Sequence, residues 1–158
     1  MRKLGLLFVT AVILVTASPA SAEEQHRRGQ TITGTWEATF RLPAGSSICT
    51  GAVDCFVPAL ATATSDGTLI QTAAVPNISE GHGVWARTGL RTFSLRSKYF
   101  RYGAGGVLIG FAEARTIATL DADGMSGSGS YEIQLLNLDG STFGLPFNGS
   151  VEFQRMVP

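Results

Sequence analysis

The chain has 158 residues, 44% of them hydrophobic, and its 12 basic and 12 acidic residues balance to a formal net charge of zero. This length suits a single domain, and the even charge balance provides no basic field that would attract nucleic acid. A nucleic-acid partner is therefore not expected.

The first 22 residues have the pattern of a secretory signal peptide. A positive start is followed by an apolar run over residues 4–15 and by the small-residue cleavage signature Ala20-Ser21-Ala22. An apolar run of about a dozen residues is shorter than the roughly 20 that a membrane-spanning helix needs, which favours cleavage over anchoring. The sequence predicts an exported protein, periplasmic or extracellular, with no membrane insertion after cleavage.

The mature chain is predicted to begin at Glu23. Loss of the two basic residues of the signal segment leaves 10 basic against 12 acidic residues, a net charge near −2. Residues 23–30 are polar, and we expect them to form a flexible leader. Residues 31–158 then form the folded domain.

Short turn signals divide this domain into eight segments with strand character. Asp-Gly pairs occupy positions 66–67, 123–124 and 139–140, and Thr88-Gly89 predicts a further tight turn. The predicted strands cover residues 31–42, 56–64, 68–75, 83–88, 91–102, 106–120, 125–137 and 141–156. Regularly spaced strands with short turns predict an all-β antiparallel sandwich or barrel.

Alternation of polar and apolar residues assigns the faces of the strands. The predicted inward residues are Ile32, Trp36, Ala38 and Phe40 in the first strand, Phe93, Leu95 and Tyr99 in the fifth, and Met125, Tyr131, Ile133 and Leu135 in the seventh. In the sixth strand Glu113 and Arg115 are placed outside, although a bulge near Glu113 would reverse this. The inward residues of that strand are then Ala112, Ala114, Thr116, Ala118 and Leu120. Eight strands either pack solid or hold one small ligand, and small inward side chains favour a cavity.

The connections between strands predict two unlike ends. In an up-and-down barrel, odd-numbered and even-numbered connections lie at opposite ends. The first connection, residues 43–55, and the third, residues 76–82, are long, whereas the even-numbered ones are tight turns. We therefore expect an open end beneath long loops and a closed end formed by short turns.

Cys49 and Cys55 are the two cysteines of the chain, and both lie in the long first connection. An oxidising compartment favours a disulfide between them, which would act as a local staple. The alternative is a metal or redox pair, which the spacing disfavours because no histidine lies nearby.

Trp36 and Arg155 are expected to meet at the closed end. Trp36 lies near the start of the first strand and Arg155 at the end of the last. In the alternation of each strand both residues fall on the inward face, so the guanidinium can lie over the indole ring. Gly34-Thr35-Trp36 together with Arg155 resembles the calycin signature of lipocalins and fatty-acid-binding proteins. The resemblance implies an eight-stranded antiparallel up-and-down β-barrel that binds an apolar small molecule above a floor of Trp36 and Arg155.

This resemblance departs from the family at one point, because no C-terminal helix is predicted after the last strand. A second likeness lies in the stretch GHGVWARTGLRTFSL, residues 81–95, which resembles a stretch of small secreted bacterial barrel proteins that mostly have no assigned function.

The predicted ligand contacts are the inward residues Phe40, Leu95, Tyr99, Ala112, Ala114, Tyr131 and Ile133. A tyrosine joins an apolar ring to a polar tip, so it can orient a ligand or simply fill a barrel. Glu80 and His82, expected in the loop at the open end, are secondary candidates with Tyr99 for proton transfer, although a solvated loop pair is commoner. No third ligand completes a zinc set, no Gly-x-Ser-x-Gly nucleophile motif is present, and no cofactor is expected.

Three functions remain open from the sequence. The first is a secreted or periplasmic binding protein, monomeric and without a cofactor, for an apolar small molecule. The second is a cofactor-free cyclase or isomerase that works mainly by shape, in the manner of allene-oxide-cyclase-like barrels. The third is a secreted interaction or inhibitor module that acts through its loops and has a solid interior.

Overall fold

The computed structural model describes residues 31–46, 49 and 53–157, which form a closed barrel of eight antiparallel strands in up-and-down order. The strands are β1 (Gly34–Leu42), β2 (Cys55–Ala63), β3 (Thr68–Ala73), β4 (Gly81–Arg87), β5 (Thr92–Tyr102), β6 (Leu108–Leu120), β7 (Ser126–Leu136) and β8 (Thr142–Arg155). The predicted fold is confirmed. Within those ranges the one helical element is a 3-10 turn, Ala104–Gly106. The predicted signal peptide, residues 1–22, and leader, residues 23–30, lie outside the described residues.

Three Asp-Gly turns close their hairpins in the same way. The carboxylate of Asp66 accepts a hydrogen bond from the N–H of Thr68 at 3.0 Å, and Asp123 and Asp139 each accept the equivalent bond at 2.9 Å. The glycine after each aspartate has a φ of 90°, 69° or 83°. Glycine adopts this conformation without the steric penalty of a Cβ atom, which explains why the Asp-Gly pairs mark the turns so reliably.

The predicted pleat of β5 and β6 is confirmed. Their buried residues include Phe93, Leu95, Tyr99, Ala112, Ala114, Thr116, Ala118 and Leu120. Glu113 lies on the outer face, where its carboxylate pairs with Arg96 at 3.1 Å. Pairing between the two strands is regular past Glu113, and its irregularity lies between Arg101 and Tyr102. The bulge that would have reversed the faces of β6 is therefore absent from these two strands.

Two predictions about strand residues are wrong. Met125 is 38% exposed rather than inward, because β7 begins one residue later and Met125 belongs to the preceding turn. β4 begins at Gly81, so His82 lies in a strand and not in the loop. A Cβ atom on Gly81 would overlap the Tyr99 ring, and one on Gly83 would overlap the Arg96 carbonyl. Both glycines are close-packing positions within the sheet, and Gly81 was expected to lie in the preceding loop.

The closed end contains a tightly packed aromatic floor. Trp36 is 3% exposed, and its indole Nε1 donates a hydrogen bond to the Ile32 carbonyl at 2.7 Å. Its ring meets Phe153 edge-on, with ring centres 5.4 Å apart. The Arg155 guanidinium carbon lies 4.2 Å from the centre of the indole ring. The floor therefore combines hydrophobic burial with a cation–π contact.

Arg155 also ties three parts of the chain together. Its Nη1 and Nη2 donate to the carbonyls of Thr33 and Thr31, each at 2.6 Å, and its Nε donates to the Gly124 carbonyl at 3.2 Å. A Cβ atom on Gly34 would lie 2.6 Å from Nη1, so the glycine before Trp36 makes room for the guanidinium. Pairing of β1 with β8, from Trp36–Arg155 to Arg41–Ser150, closes the barrel beside this clamp.

Candidate functional site

An apolar cavity of about 60 Å³, here called the upper cavity, lies inside the end that carries the long loops. Its lining is Phe40, Leu42, Val57, Ala73, Val75, Ile78, Tyr99, Ala112, Ala114, Tyr131, Ile133 and Leu135. None of these side chains is charged, and the two phenols are the polar groups among them. Such a lining suits an uncharged, mainly apolar occupant.

Six of the seven residues predicted to contact a ligand line the upper cavity: Phe40, Tyr99, Ala112, Ala114, Tyr131 and Ile133. The seventh, Leu95, lies deeper and lines a second void of about 40 Å³, here called the lower cavity, above the Trp36 floor. Phe40 belongs to both linings and therefore lies beside both cavities.

Sequence reasoning missed several lining residues. Leu135 was placed on the inward face of the seventh strand but was not counted among the ligand contacts, and no faces were assigned to the strand that carries Val57. Val75 and Ile78 lie in the third connection, residues 74–80. Val75 was expected at the end of the third strand, for which no faces were assigned, and Ile78 was expected in a loop, where strand alternation gives no direction. Val75 and Ile78 are the two large aliphatic side chains of this loop, and that is the one signal that would have marked them.

Hydrogen bonds hold the third connection against the end of β5. The N–H of Ser79 donates to the Phe100 carbonyl at 3.0 Å, and the N–H of Phe100 donates to the Ser79 hydroxyl at 2.9 Å. The N–H of Tyr102 donates to the Asn77 carbonyl at 2.8 Å. The loop is thereby fixed in a position from which Ile78 reaches the upper cavity.

The first connection carries the Cys49–Cys55 disulfide, as predicted. Cys49 is buried in a cluster that includes Tyr131. At the base of this loop, Asp54 accepts hydrogen bonds from the Ala44 N–H at 3.0 Å and the Arg41 guanidinium at 2.8 Å. These two donors lower the pKa of Asp54. The loop is therefore anchored to the barrel both by its disulfide and by its base.

Removal of the disulfide, in the double variant Cys49→Ser and Cys55→Ser, is expected to lower the free energy of unfolding by about 2 kcal/mol, because the bridge closes a short loop. The sequence separation of the two cysteines is 6. Urea unfolding with and without a reductant measures the loss. Reductant should destabilise the wild type by a similar amount and leave the variant unaffected. Equal stability of oxidised and reduced wild type would contradict the expectation.

Buried polar groups lie beside both cavities: Tyr99 and Tyr131 line the upper cavity, and Gln71 lines the lower one. The Tyr99 hydroxyl donates to Gln71 Oε1 at 2.7 Å, and the Ser97 hydroxyl donates to the same oxygen at 2.8 Å. Burial raises the pKa of Tyr99, against the weaker opposing effect of the Ser97 hydrogen bond. The Tyr131 hydroxyl donates to the Arg41 carbonyl at 2.9 Å, and burial raises its pKa to about 12. Both phenols are therefore neutral at physiological pH.

The structure does not bring Glu80 and His82 to the cavity. Both are exposed, and the Glu80 carboxylate accepts a hydrogen bond from the Thr72 hydroxyl at 3.3 Å. His82 lies on the outer face of β4, opposite Lys98, whereas Tyr99 points into the barrel. Within the described ranges no three His, Cys, Asp or Glu side chains are grouped to hold a metal ion.

No helix among the described residues is long and apolar enough to cross a bilayer. A scan against protein-family models and a search of curated proteins found no match to this chain. The closed eight-stranded antiparallel barrel, consistent with a calycin-like fold, is thus established by the strand topology.

Proposed function

We propose that the protein is an exported, monomeric binding protein that holds a small apolar molecule in the upper cavity without a cofactor. The observation that carries the proposal is the lining of that cavity, in which every side chain except two neutral phenols is apolar. Transfer of an apolar molecule from water to such a surface is favourable, and it leaves no charge unpaired.

The size of the cavity limits how the molecule is held. An apolar protein cavity of about 150 Å³ accommodates benzene. The upper cavity measures about 60 Å³ and the lower about 40 Å³, and Phe40 lines both. Because Phe40 lies beside both spaces, we expect rotation of its half-buried side chain to connect them. The ligand therefore enters with a displacement of Phe40, and a narrow or chain-like molecule fits this shape best.

The disulfide supports the location in the proposal. Disulfides persist in oxidising compartments and are rare in the cytosol. The Cys49–Cys55 bridge lies in the loop at the cavity end of the barrel. An oxidising compartment would therefore keep this loop cross-linked to the barrel.

Native mass spectrometry of the protein expressed in its source cells tests the proposal. The wild type is expected to carry a co-purified apolar molecule. Ala114→Leu should lose it, because the added branched alkyl group projects into the upper cavity. Arg115→Leu is the matched control, since it introduces the same side chain at the next position of β6, which is exposed on the outer face. Absence of any bound molecule from the wild type, or its retention in Ala114→Leu, would contradict the proposal.

A further inference from the structure

Three polar residues are buried in the middle of the barrel. The side chains of Gln71, Ser97 and Thr116 belong to residues that are 8%, 3% and 7% exposed. Polar groups at this depth are normally satisfied by hydrogen bonds, because an unpaired one loses its interaction with water without compensation. The hydrogen-bond partners of these three residues, and the polar atoms that lack a partner, therefore indicate which class of ligand the interior binds.

The Gln71 side chain is satisfied at only one of its two polar atoms. Its Oε1 accepts hydrogen bonds from Ser97 and Tyr99, whereas its Nε2 has no partner among the described residues. If the oxygen and nitrogen of the Gln71 amide were exchanged, the Ser97 and Tyr99 hydroxyls would face an N–H₂ group that cannot accept their protons. One hydroxyl could then donate to the other, and the second proton would have no acceptor. The orientation with the amide N–H₂ group free is thus the better one.

Thr116 supplies a second free group. Its hydroxyl has no hydrogen-bond partner among the described residues, and both Thr116 and Gln71 line the lower cavity. No side-chain nitrogen or oxygen in the described ranges is both completely enclosed and unpaired. The free amide and the free hydroxyl therefore retain accessible surface beside the cavity that they share. They form a donor site inside an otherwise apolar space.

We propose that the barrel selects a ligand with one uncharged hydrogen-bond-accepting oxygen, such as a ketone, aldehyde or ester carbonyl. Gln71 Nε2 and Thr116 Oγ1 bind this oxygen in the lower cavity, while the apolar remainder fills the upper cavity. The inference rests on the proposed function and adds the chemical class and the orientation of the ligand.

The linings of the two cavities indicate that the hydrogen-bonding oxygen of the ligand is uncharged. An amide N–H₂ group only donates hydrogen bonds, so the ligand atom that faces it must accept them. Neither lining contains a charged side chain. A carboxylate placed there would lose its hydration without gaining a counter-charge, which is far more costly than burying a neutral carbonyl. A carbonyl, unlike a carboxylate, satisfies the site at little cost.

The test compares three probes of equal chain length, 2-heptanone, heptane and heptanoate, by NMR titration of the full mature chain. The wild type should bind 2-heptanone and heptane, and heptanoate much more weakly than the ketone. Thr116→Val keeps the side-chain shape and removes only the free hydroxyl, whereas Gln71→Met removes the amide donor together with the acceptor of the Ser97 and Tyr99 hydroxyls. Each should lower the ratio of ketone affinity to heptane affinity about five- to tenfold, the effect of one lost hydrogen bond. Thr119→Val, at an exposed position of the same strand, is the matched control and should leave the ratio unchanged.

The outcomes separate this inference from the function on which it rests. Thr116→Val breaks no hydrogen bond within the described residues, so its melting temperature is expected to stay at or above that of the wild type. A ratio unchanged in both variants would overturn the inference and leave apolar binding intact, with the two free groups serving a bound water. Heptanoate binding as tight as that of the ketone would overturn it too. Failure of both heptane and 2-heptanone to bind the wild type would overturn the inference and the proposed function together.

Discussion

Trp36→Ala is expected to lower the free energy of unfolding by about 3–5 kcal/mol, the range for large aromatic truncations in a core. The indole is almost completely buried, and its Nε1 is hydrogen-bonded to the Ile32 carbonyl. Its loss would leave a cavity between Phe153 and Arg155 at the closed end. Urea unfolding followed by circular dichroism measures the change.

Trp85→Ala is the matched control for this truncation. Trp85 is half-buried, and its indole also donates to a backbone carbonyl, that of Thr64, at 2.9 Å. Because less apolar surface is buried, this variant should lose about 1–3 kcal/mol. A loss for Trp36→Ala no larger than that for Trp85→Ala would show that the floor does not depend on Trp36.

Arg155→Ala is expected to cost about 3 kcal/mol, because it removes three hydrogen bonds to backbone carbonyls and a cation–π contact in a partly desolvated place. The three carbonyls belong to residues near the start of β1 and to the turn before β7. Arg155→Lys should recover less than half of the loss, since an ammonium group cannot reproduce the planar fork of donors.

A double-mutant cycle between Arg155 and Trp36 measures their mutual contact, which should couple them by about 1–2 kcal/mol. Arg115→Ala is the control, because Arg115 is exposed on the outer face of β6 and its loss should change stability by less than about 0.5 kcal/mol. Additive effects of the two truncations at the floor would contradict the arrangement described for the closed end.

The fold was predictable because its strongest signals are local. Asp-Gly pairs mark turns through a side-chain hydrogen bond and a positive φ, both of which depend only on neighbouring residues. Strand parity depends on the pleat alone, so it correctly placed Glu113 outside and Ala114 inside once the strand was recognised. The meeting of Trp36 and Arg155 followed from counting strands and connections.

The site was less predictable because it depends on how distant side chains share space. Small inward residues of β6 predicted a cavity, and they line two separate ones: Ala112 and Ala114 the upper cavity, Thr116 and Ala118 the lower. The lining residue Ile78 comes from a loop, where no period indicates direction. Phe40 was expected to touch a ligand, but its position beside two cavities depends on the packing of residues from several strands.

The mid-barrel donor site shows a further limit of sequence reasoning. Thr116 was placed inward with the small residues of β6, but strand alternation could not predict whether its hydroxyl has a hydrogen-bond partner. Gln71 lies on a short strand for which no faces were assigned. That one atom of each residue lacks a partner depends on side-chain geometry, which only a three-dimensional structure provides.

The Arg155 clamp has a consequence for the order of events in folding. Its hydrogen bond to the Thr33 carbonyl joins residues 122 positions apart, whereas the hairpins between neighbouring strands close over a few residues. Closing so long a loop costs more chain entropy than forming a hairpin, so long-range pairing comes late. We therefore expect the floor to be completed after the hairpins have formed, so that pairing of β1 with β8 and the Arg155 hydrogen bonds close the barrel at the end of folding.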